Sequence, residues 1–207
     1  MTASGEPSTT ASPNAVSGDD AALAARLAAR DSAALRDAIA LHGDALYRVA
    51  YRMTGDAHEA EDIVQEAMLR LWDHAPGIAA RHPLGSQAAG ALRLGGWLQR
   101  VVTNLAIDRL RRARRISGEE VPDSADDAPL ADARIEADEQ TRSARALITA
   151  LPERQRAAIV LTYYEELSNA AAAQTLDMNI KAFESLLLRA RTALRNAYAA
   201  QAEGGAS

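Results

Sequence analysis

The chain contains no cysteine, which excludes disulfides and thiolate metal sites and fits a cytoplasmic protein. Aromatic residues are scarce, with one Phe, two Trp and five Tyr in 207 residues, so large ring-filled cores are excluded. No stretch approaches the ~18–20 uninterrupted apolar residues of a membrane span. The N-terminus also lacks the basic-then-apolar order of a secretory signal. The expectation is therefore a protein with no membrane insertion. The histidines, His42, His58, His74 and His82, have no paired carboxylate at ligand spacing, so no metal site is expected. There is no Gly-rich phosphate loop, no Ser/His/Asp set and no nucleophile elbow. These absences predict no enzyme, no cofactor and no small-molecule substrate.

What is present is aliphatic and unevenly charged. Hydrophobic residues make up 48% of the chain, much of it alanine, which favours helix but adds little burial. An all-α protein with thin cores is expected. The net charge is −5, which argues against nucleic-acid binding until it is mapped. Residues 118–140 hold nine acids against Arg134 alone, a balance of −8, so the remainder sums to +3. Within that remainder, residues 109–115 (RLRRARR) carry five arginines in seven positions. The total hides a basic patch and an acidic connector.

Residues 1–20 have almost nothing to bury and are expected to be a disordered tail. A helix follows from about Asp20 to Arg30. Asp31 can cap a second helix reaching about Met53, with Leu35, Ile39, Leu46, Val49, Ala50 and Met53 facing inward. After the turn Thr54-Gly55-Asp56, a third helix runs to Trp72. It buries Ala60, Ile63, Val64, Ala67 and Leu71 and shows Glu61, Asp62, Gln65, Glu66 and Arg70 on the opposite face. Residues 73–96, with Pro, Gly and His, read as a loop, which is long for a compact domain. Trp97 restarts a helix whose inner face is Leu98, Val101, Val102, Leu105 and Leu110, and the arginine run continues it. The acidic connector at 117–138, with Pro122 and Pro129, separates this first domain, 21–116, from a second at 139–199. Pro152 is expected at the first position of a helix reaching about Glu166, and residues 200–207 are expected to be a loose tail.

Leu167 to Leu194 reads as a short helix, a tight turn and a longer helix. Ser168 can cap the first, Asp177-Met178-Asn179 breaks the pattern, and Asn179 can cap the second near Ile180. In the second, Phe183, Leu187, Ala190 and Leu194 recur at i, i+4, i+7 and i+11 as one apolar face. Lys181, Glu184, Ser185 and Leu188 fall on another, flanked by Arg189, Arg191 and Arg195. This is the helix-turn-helix arrangement, whose second helix enters the major groove. A plain helical hairpin with solvated arginines fits the same stretch.

Three blocks together carry a resemblance: DIVQEAMLRLW (62–72), WLQRVVTNLAIDRLRR (97–112), and LPERQRAAIVLTYYEELS (151–168) with its helix-turn-helix. The chain resembles the small two-domain, extracytoplasmic-function (ECF) sigma factors of the sigma-70 family over roughly residues 22–198. The resemblance implies region 2 in the first domain and region 4 in the second, with core RNA polymerase, promoter DNA and an anti-sigma factor as partners. It implies that Asp62, Gln65, Glu66 and Arg70 meet the β′ clamp helices. Asn104 would line a pocket for a flipped base at the −10 element, and Arg109, Arg112 and Arg115 would contact phosphates there. Ser168, Lys181, Glu184, Ser185, Leu188, Arg189 and Arg191 would serve the −35 element, and the second domain would also touch the β-flap. The connector would thread polymerase, although charge runs also simply keep linkers extended. Departures from the family's pattern are the long 73–96 stretch, Asp177 where the turn usually has Gly, Ala172 for a bulky aliphatic, and Glu184 where Lys or Arg is common. A stand-alone helix-turn-helix regulator is the rival reading. It explains residues 168–195 but neither the clamp-like helix nor Asn104 with its arginines.

Overall fold

Residues 19–117 and 139–204 are described by the structure, a computed structural model. All the regular elements among them are helical. The expected tail up to residue 18 and the acidic connector lie outside the described residues. The N-terminal unit comprises α1 (Asp19–Ala28), α2 (Ser32–Thr54), α3 (Ala57–Arg81), α4 (Gln87–Ala91) and α5 (Leu94–Ser117). Asp31 caps α2 by accepting from the Ala33 N–H at 2.8 Å. That bond, then the Arg26 guanidinium, holds the Asp31 carboxyl below its ordinary pKa. Gly55 ends α2 in the left-handed region at φ 74°, and Asp56 caps α3 by accepting from the Glu59 N–H. Asp20, expected in the tail, is buried and accepts from the Leu94 N–H at 2.9 Å. A residue at the start of α1 thus satisfies a free donor at the start of α5.

The core follows the expected stripes with one exception and one large correction. Leu46, Val49, Ala50 and Met53 of α2 pack against Ala60, Ile63, Ala67 and Leu71 of α3 and Leu98, Val102 and Leu105 of α5. Ile39, expected inside, is 46% exposed, and Leu35 and Val64 are only half-buried. The expected loop at 73–96 is mostly helix: α3 continues through Pro76 to Arg81, and α4 occupies 87–91. A proline removes the bond to the carbonyl four residues earlier. Here that carbonyl, on Trp72, accepts instead from Arg30 Nη1 at 3.0 Å. Ala75 and Ile78 extend the buried stripe of Leu71, so packing carries the helix past its proline.

The C-terminal unit comprises α6 (Glu139–Ala150), α7 (Glu153–Ile159), a π-helical turn (Val160–Tyr164), α8 (Asn169–Thr175) and α9 (Ile180–Gly204). Pro152 is the N-cap of α7, one position earlier than expected, with ψ 142°. Ser168 caps α8 by accepting from the Ala171 N–H at 3.2 Å, and Asn179 caps α9 by accepting from the Ala182 N–H at 2.9 Å. Asp177 takes the left-handed geometry of the turn at φ 53°, which Asp tolerates better than most side chains. Phe183, Leu187 and Ala190 are fully or almost fully buried, and Leu194 packs at the edge of the core. The expected loose tail is shortened, because α9 continues to Gly204.

The two units pack on each other, and their buried residues form one continuous apolar cluster. Arg156 of α7 is 5% exposed and donates to the carbonyls of Met53, Thr149 and Leu151. Met53 lies in the last turn of α2, Thr149 lies in the last turn of α6, and Leu151 directly follows that helix. One guanidinium thus occupies the negative ends of two helices from different units. Burial, reinforced by Arg114 and opposed by Glu153, lowers its pKa to about 10, so it remains a cation at neutral pH.

Candidate nucleic-acid interface

The helix-turn-helix presents the groove face that its periodicity predicts. Burying Phe183, Leu187 and Ala190 against α7 and α8 turns Lys181, Glu184, Ser185 and Leu188 to solvent, with Leu188 62% exposed. Arg189 and Arg191 are exposed beside them, and the Arg191 guanidinium lies over the Tyr163 ring at 5.4 Å. Ser168 is exposed, but its hydroxyl is engaged as the α8 cap. The face offers a cation, a carboxylate, a hydroxyl and an apolar tip. These are side chains able to contact phosphate, an exocyclic amine and a thymine methyl.

The arginine run of α5 divides into three groups. Arg112 and Arg115 are exposed, and among the described residues no carboxylate pairs with them. Asn104 is half-buried and stands four residues before Asp108 and eleven before Arg115, on one helical face. Arg111 and Arg114 instead reach the C-terminal unit, where Glu153 accepts from Arg111 Nε at 3.1 Å and from Arg114 Nη1 at 3.0 Å. Arg109 turns back to α3, with Nη1 2.8 Å from Glu59 and 3.6 Å from Asp62, and Nη2 3.4 Å from Glu66. The residues expected to contact −10 DNA are therefore not all brought to one surface.

Further ion pairs and hydrogen bonds join the units. Glu165 accepts from Arg52 at 3.1 Å and from Gln99 at 3.3 Å, Asp177 pairs with Arg100, and Arg145 donates to the Tyr51 hydroxyl at 2.9 Å. Burial raises the Glu165 pKa, a shift that Arg52 and Arg48 oppose. Sequence reading misses these acids because their partners lie 39 to 113 residues away, beyond any local periodicity.

The polar face of α3 is placed as expected. Asp62, Gln65 and Arg70 are exposed and Glu66 is half-exposed, with Glu66 accepting from Arg70 at 2.7 Å. Beside it lies a groove that sequence reading missed, a cavity of about 340 Å³ lined by Leu35, Ile39, Tyr47, Val64, Met68 and Leu69, with Glu61 and Gln65 at its rim. Its signal was partial: Leu69, 55% exposed, is a large apolar residue outside the core stripe of α3, whereas Ile39, 46% exposed, continues the stripe of α2. Among the described residues, no cluster could hold a metal ion, and no helix is long and apolar enough to cross a membrane.

Residues 38–85 match the family description Sigma-70 region 2, and residues 141–194 match Sigma-70, region 4. The ECF RNA polymerase sigma factor SigE of Mycolicibacterium smegmatis is 33% identical over 168 residues, covering 75% of this chain and 58% of its own length. SigW of Bacillus subtilis, another ECF RNA polymerase sigma factor, is 29% identical over 163 residues, covering 73% of this chain and 82% of its own. The chain thus spans under two thirds of the first of these relatives. Among solved structures, CnrH in complex with the cytosolic domain of CnrY superposes with a TM-score of 0.59 at 24% identity, covering 87% of this chain and 97% of that one. The sigma factor RpoE in complex with the anti-sigma factor NepR from Bartonella quintana gives 0.55 at 21% identity, covering 79% and 95%. At these identities the two structures speak for the fold.

Proposed function

Because this chain belongs to the sigma-70 family, in its extracytoplasmic-function group, we propose that it binds core RNA polymerase and directs promoter-specific initiation. The observation that carries the reading is the pairing of two different surfaces in one chain. The N-terminal unit combines the polar face of α3 with Asn104 and the exposed arginines of α5, and the C-terminal unit presents a free helix-turn-helix face. A regulator acting on DNA alone needs only the second of these.

In this reading Asp62, Gln65, Glu66 and Arg70 meet the β′ clamp helices, and the apolar groove next to them enlarges that contact. Asn104 receives an unstacked base of the −10 element, since an amide can pair with a base edge and so offset the few kcal/mol of unstacking. Arg112 and Arg115 hold phosphate. Lys181, Glu184, Ser185 and Leu188 read the −35 element, flanked by Arg189 and Arg191, with Ser168 fixing the first helix of the pair; the C-terminal unit also meets the β-flap. The chain does no bond chemistry of its own in this scheme; polymerase supplies the catalysis, in the cytoplasm. An anti-sigma partner is part of the proposal, supported by the complex that RpoE forms with the anti-sigma factor NepR. With both units on DNA, the Glu153 contacts to Arg111 and Arg114 must be exchanged for phosphate or solvent.

Titration of labelled full-length chain with core polymerase tests the assignment of α3. Asp62→Arg combined with Gln65→Ala is expected to weaken association at least about tenfold, roughly 1.4 kcal/mol, with helical content unchanged. Equal affinity for the variant and the wild type would refute it.

A further inference from the structure

We propose that Arg109 is a positioning residue for the polymerase-binding face of α3, and not one of the phosphate contacts of the arginine run. The proposal rests on the sigma-factor reading above. In the sequence Arg109 looks like its neighbours. In the helix it continues the inward stripe of Leu98, Val102 and Leu105, at i, i+4, i+7 and i+11, so its stem leaves α5 on the side that packs against the unit's core. Its side chain is 26% exposed, less than that of any acid it meets.

Those acids form a row. Glu59, Asp62 and Glu66 stand at i, i+3 and i+7 along one face of α3, where like charges repel. The guanidinium spans the row, 2.8 Å from Glu59, 3.6 Å from Asp62 and 3.4 Å from Glu66. Glu66 uses its other oxygen for Arg70, 2.7 Å away. The hydrogen bond to Glu59, then that to Glu66, against the opposing effect of burial, raises the Arg109 pKa above its ordinary value. Two of these acids, Asp62 and Glu66, belong to the face that meets polymerase. Arg109 cancels the repulsion within the row and limits the rotamers of both, so that less ordering is left for the moment of docking. A phosphate contact would require the same guanidinium to give up three carboxylates, whereas Arg112, one turn further on and exposed, gives up none among the described residues.

The test uses the full chain and its holoenzyme, with Arg109→Ala, Arg109→Lys, and the swap of Arg109→Glu with Glu59→Arg. Core-polymerase affinity and dissociation rate are measured with labelled chain, and the salt slope of promoter binding with holoenzyme. Arg109→Ala is expected to weaken core association roughly three- to tenfold, mainly through faster dissociation. Arg109→Lys should fall between, and the swap should recover part of the loss, which a simple change in fold stability would not produce. The promoter salt slope should match wild type. A slope reduced by about one, with or without a change in core affinity, would overturn the proposal in favour of phosphate contact. Unchanged or tighter core binding by Arg109→Ala would also overturn it. If the Asp62→Arg, Gln65→Ala variant binds core like wild type, the assignment of α3 fails and this proposal with it. If that variant weakens binding while Arg109→Ala does not, only the role of Arg109 falls.

Discussion

Replacing Arg156 with Met asks how much one buried cation contributes to joining the two units. The guanidinium donates to three carbonyls, on Met53, Thr149 and Leu151. Met fills a similar volume but donates nothing, so those acceptors lose a partner in an apolar surrounding. An orphaned buried acceptor costs about 1–3 kcal/mol, and removing one side of a buried ionic arrangement typically costs about 3–5 kcal/mol. Loss of the cation also relieves its own desolvation, visible in the lowered pKa of about 10, and the partners left behind are neutral. The lower end therefore applies, about 3 kcal/mol for Met. Ala leaves a cavity besides and should cost more. Both tryptophans, Trp72 and Trp97, lie in the N-terminal unit, so fluorescence reports that unit while circular dichroism reports both. In urea the wild type should give coincident transitions because the units share a core. Arg156→Met should lower the midpoint and separate the transitions, the dichroism changing first as the C-terminal unit detaches. Coincident transitions with stability within about 1 kcal/mol of wild type would refute the reasoning.

Gly55→Ala should cost about 1–2 kcal/mol by thermal denaturation, since Gly55 sits at φ 74° and an added Cβ would lie 3.3 Å from Thr149 Cγ2; an unchanged Tm would contradict it. Packing of the units should tighten on mild acidification. Burial raises the Glu165 pKa above its ordinary 4.5, so between 4.5 and the raised value the packed state holds more protons than the unfolded one, and stability falls as pH rises through that window. Glu165→Gln should flatten this dependence; an identical pH profile would show that another group causes it. Substituting Ala for Arg112 and Arg115 together should lower the salt slope of promoter binding by about two, roughly one per phosphate contact, and equal slopes would exclude both contacts. Glu184→Gln should relax preference at one −35 position, about 1–3 kcal/mol in discrimination; an unchanged ranking across a randomised −35 library would leave Glu184 only its helical neighbour Lys181.

Much of this was legible from periodicity and capping, because both are local. Asp31, Ser168 and Asn179 are short polar side chains placed just before apolar stripes, and each caps its helix. Phe183, Leu187 and Ala190 define the buried side of α9 and hence, by subtraction, its groove face. Pro76 misled because its local cost is real; the compensating contact comes from Arg30, far away in the turn between α1 and α2. Ile39 misled because it continues the helical pattern of α2 without facing a neighbour. The arginine run shows the limit most clearly. Five like residues in one short stretch differ only in what stands across from them: Glu59, Asp62 and Glu66 for Arg109, Glu153 for Arg111 and Arg114, and solvent for Arg112 and Arg115. Pairing over such distances belongs to the tertiary structure.

The central claim, that this chain confers promoter recognition on polymerase, is tested most directly by run-off transcription. Sigma-free core polymerase is supplied with a promoter selected by the chain's own holoenzyme from a library randomised at the −10 and −35 elements. The account predicts a discrete transcript only when the chain is present, and its loss with Asn104→Ala under conditions where the −35 contact persists. Binding of the chain to that DNA without any transcript, with core polymerase present and active on a control sigma factor, would contradict the account and leave a DNA-binding regulator in its place.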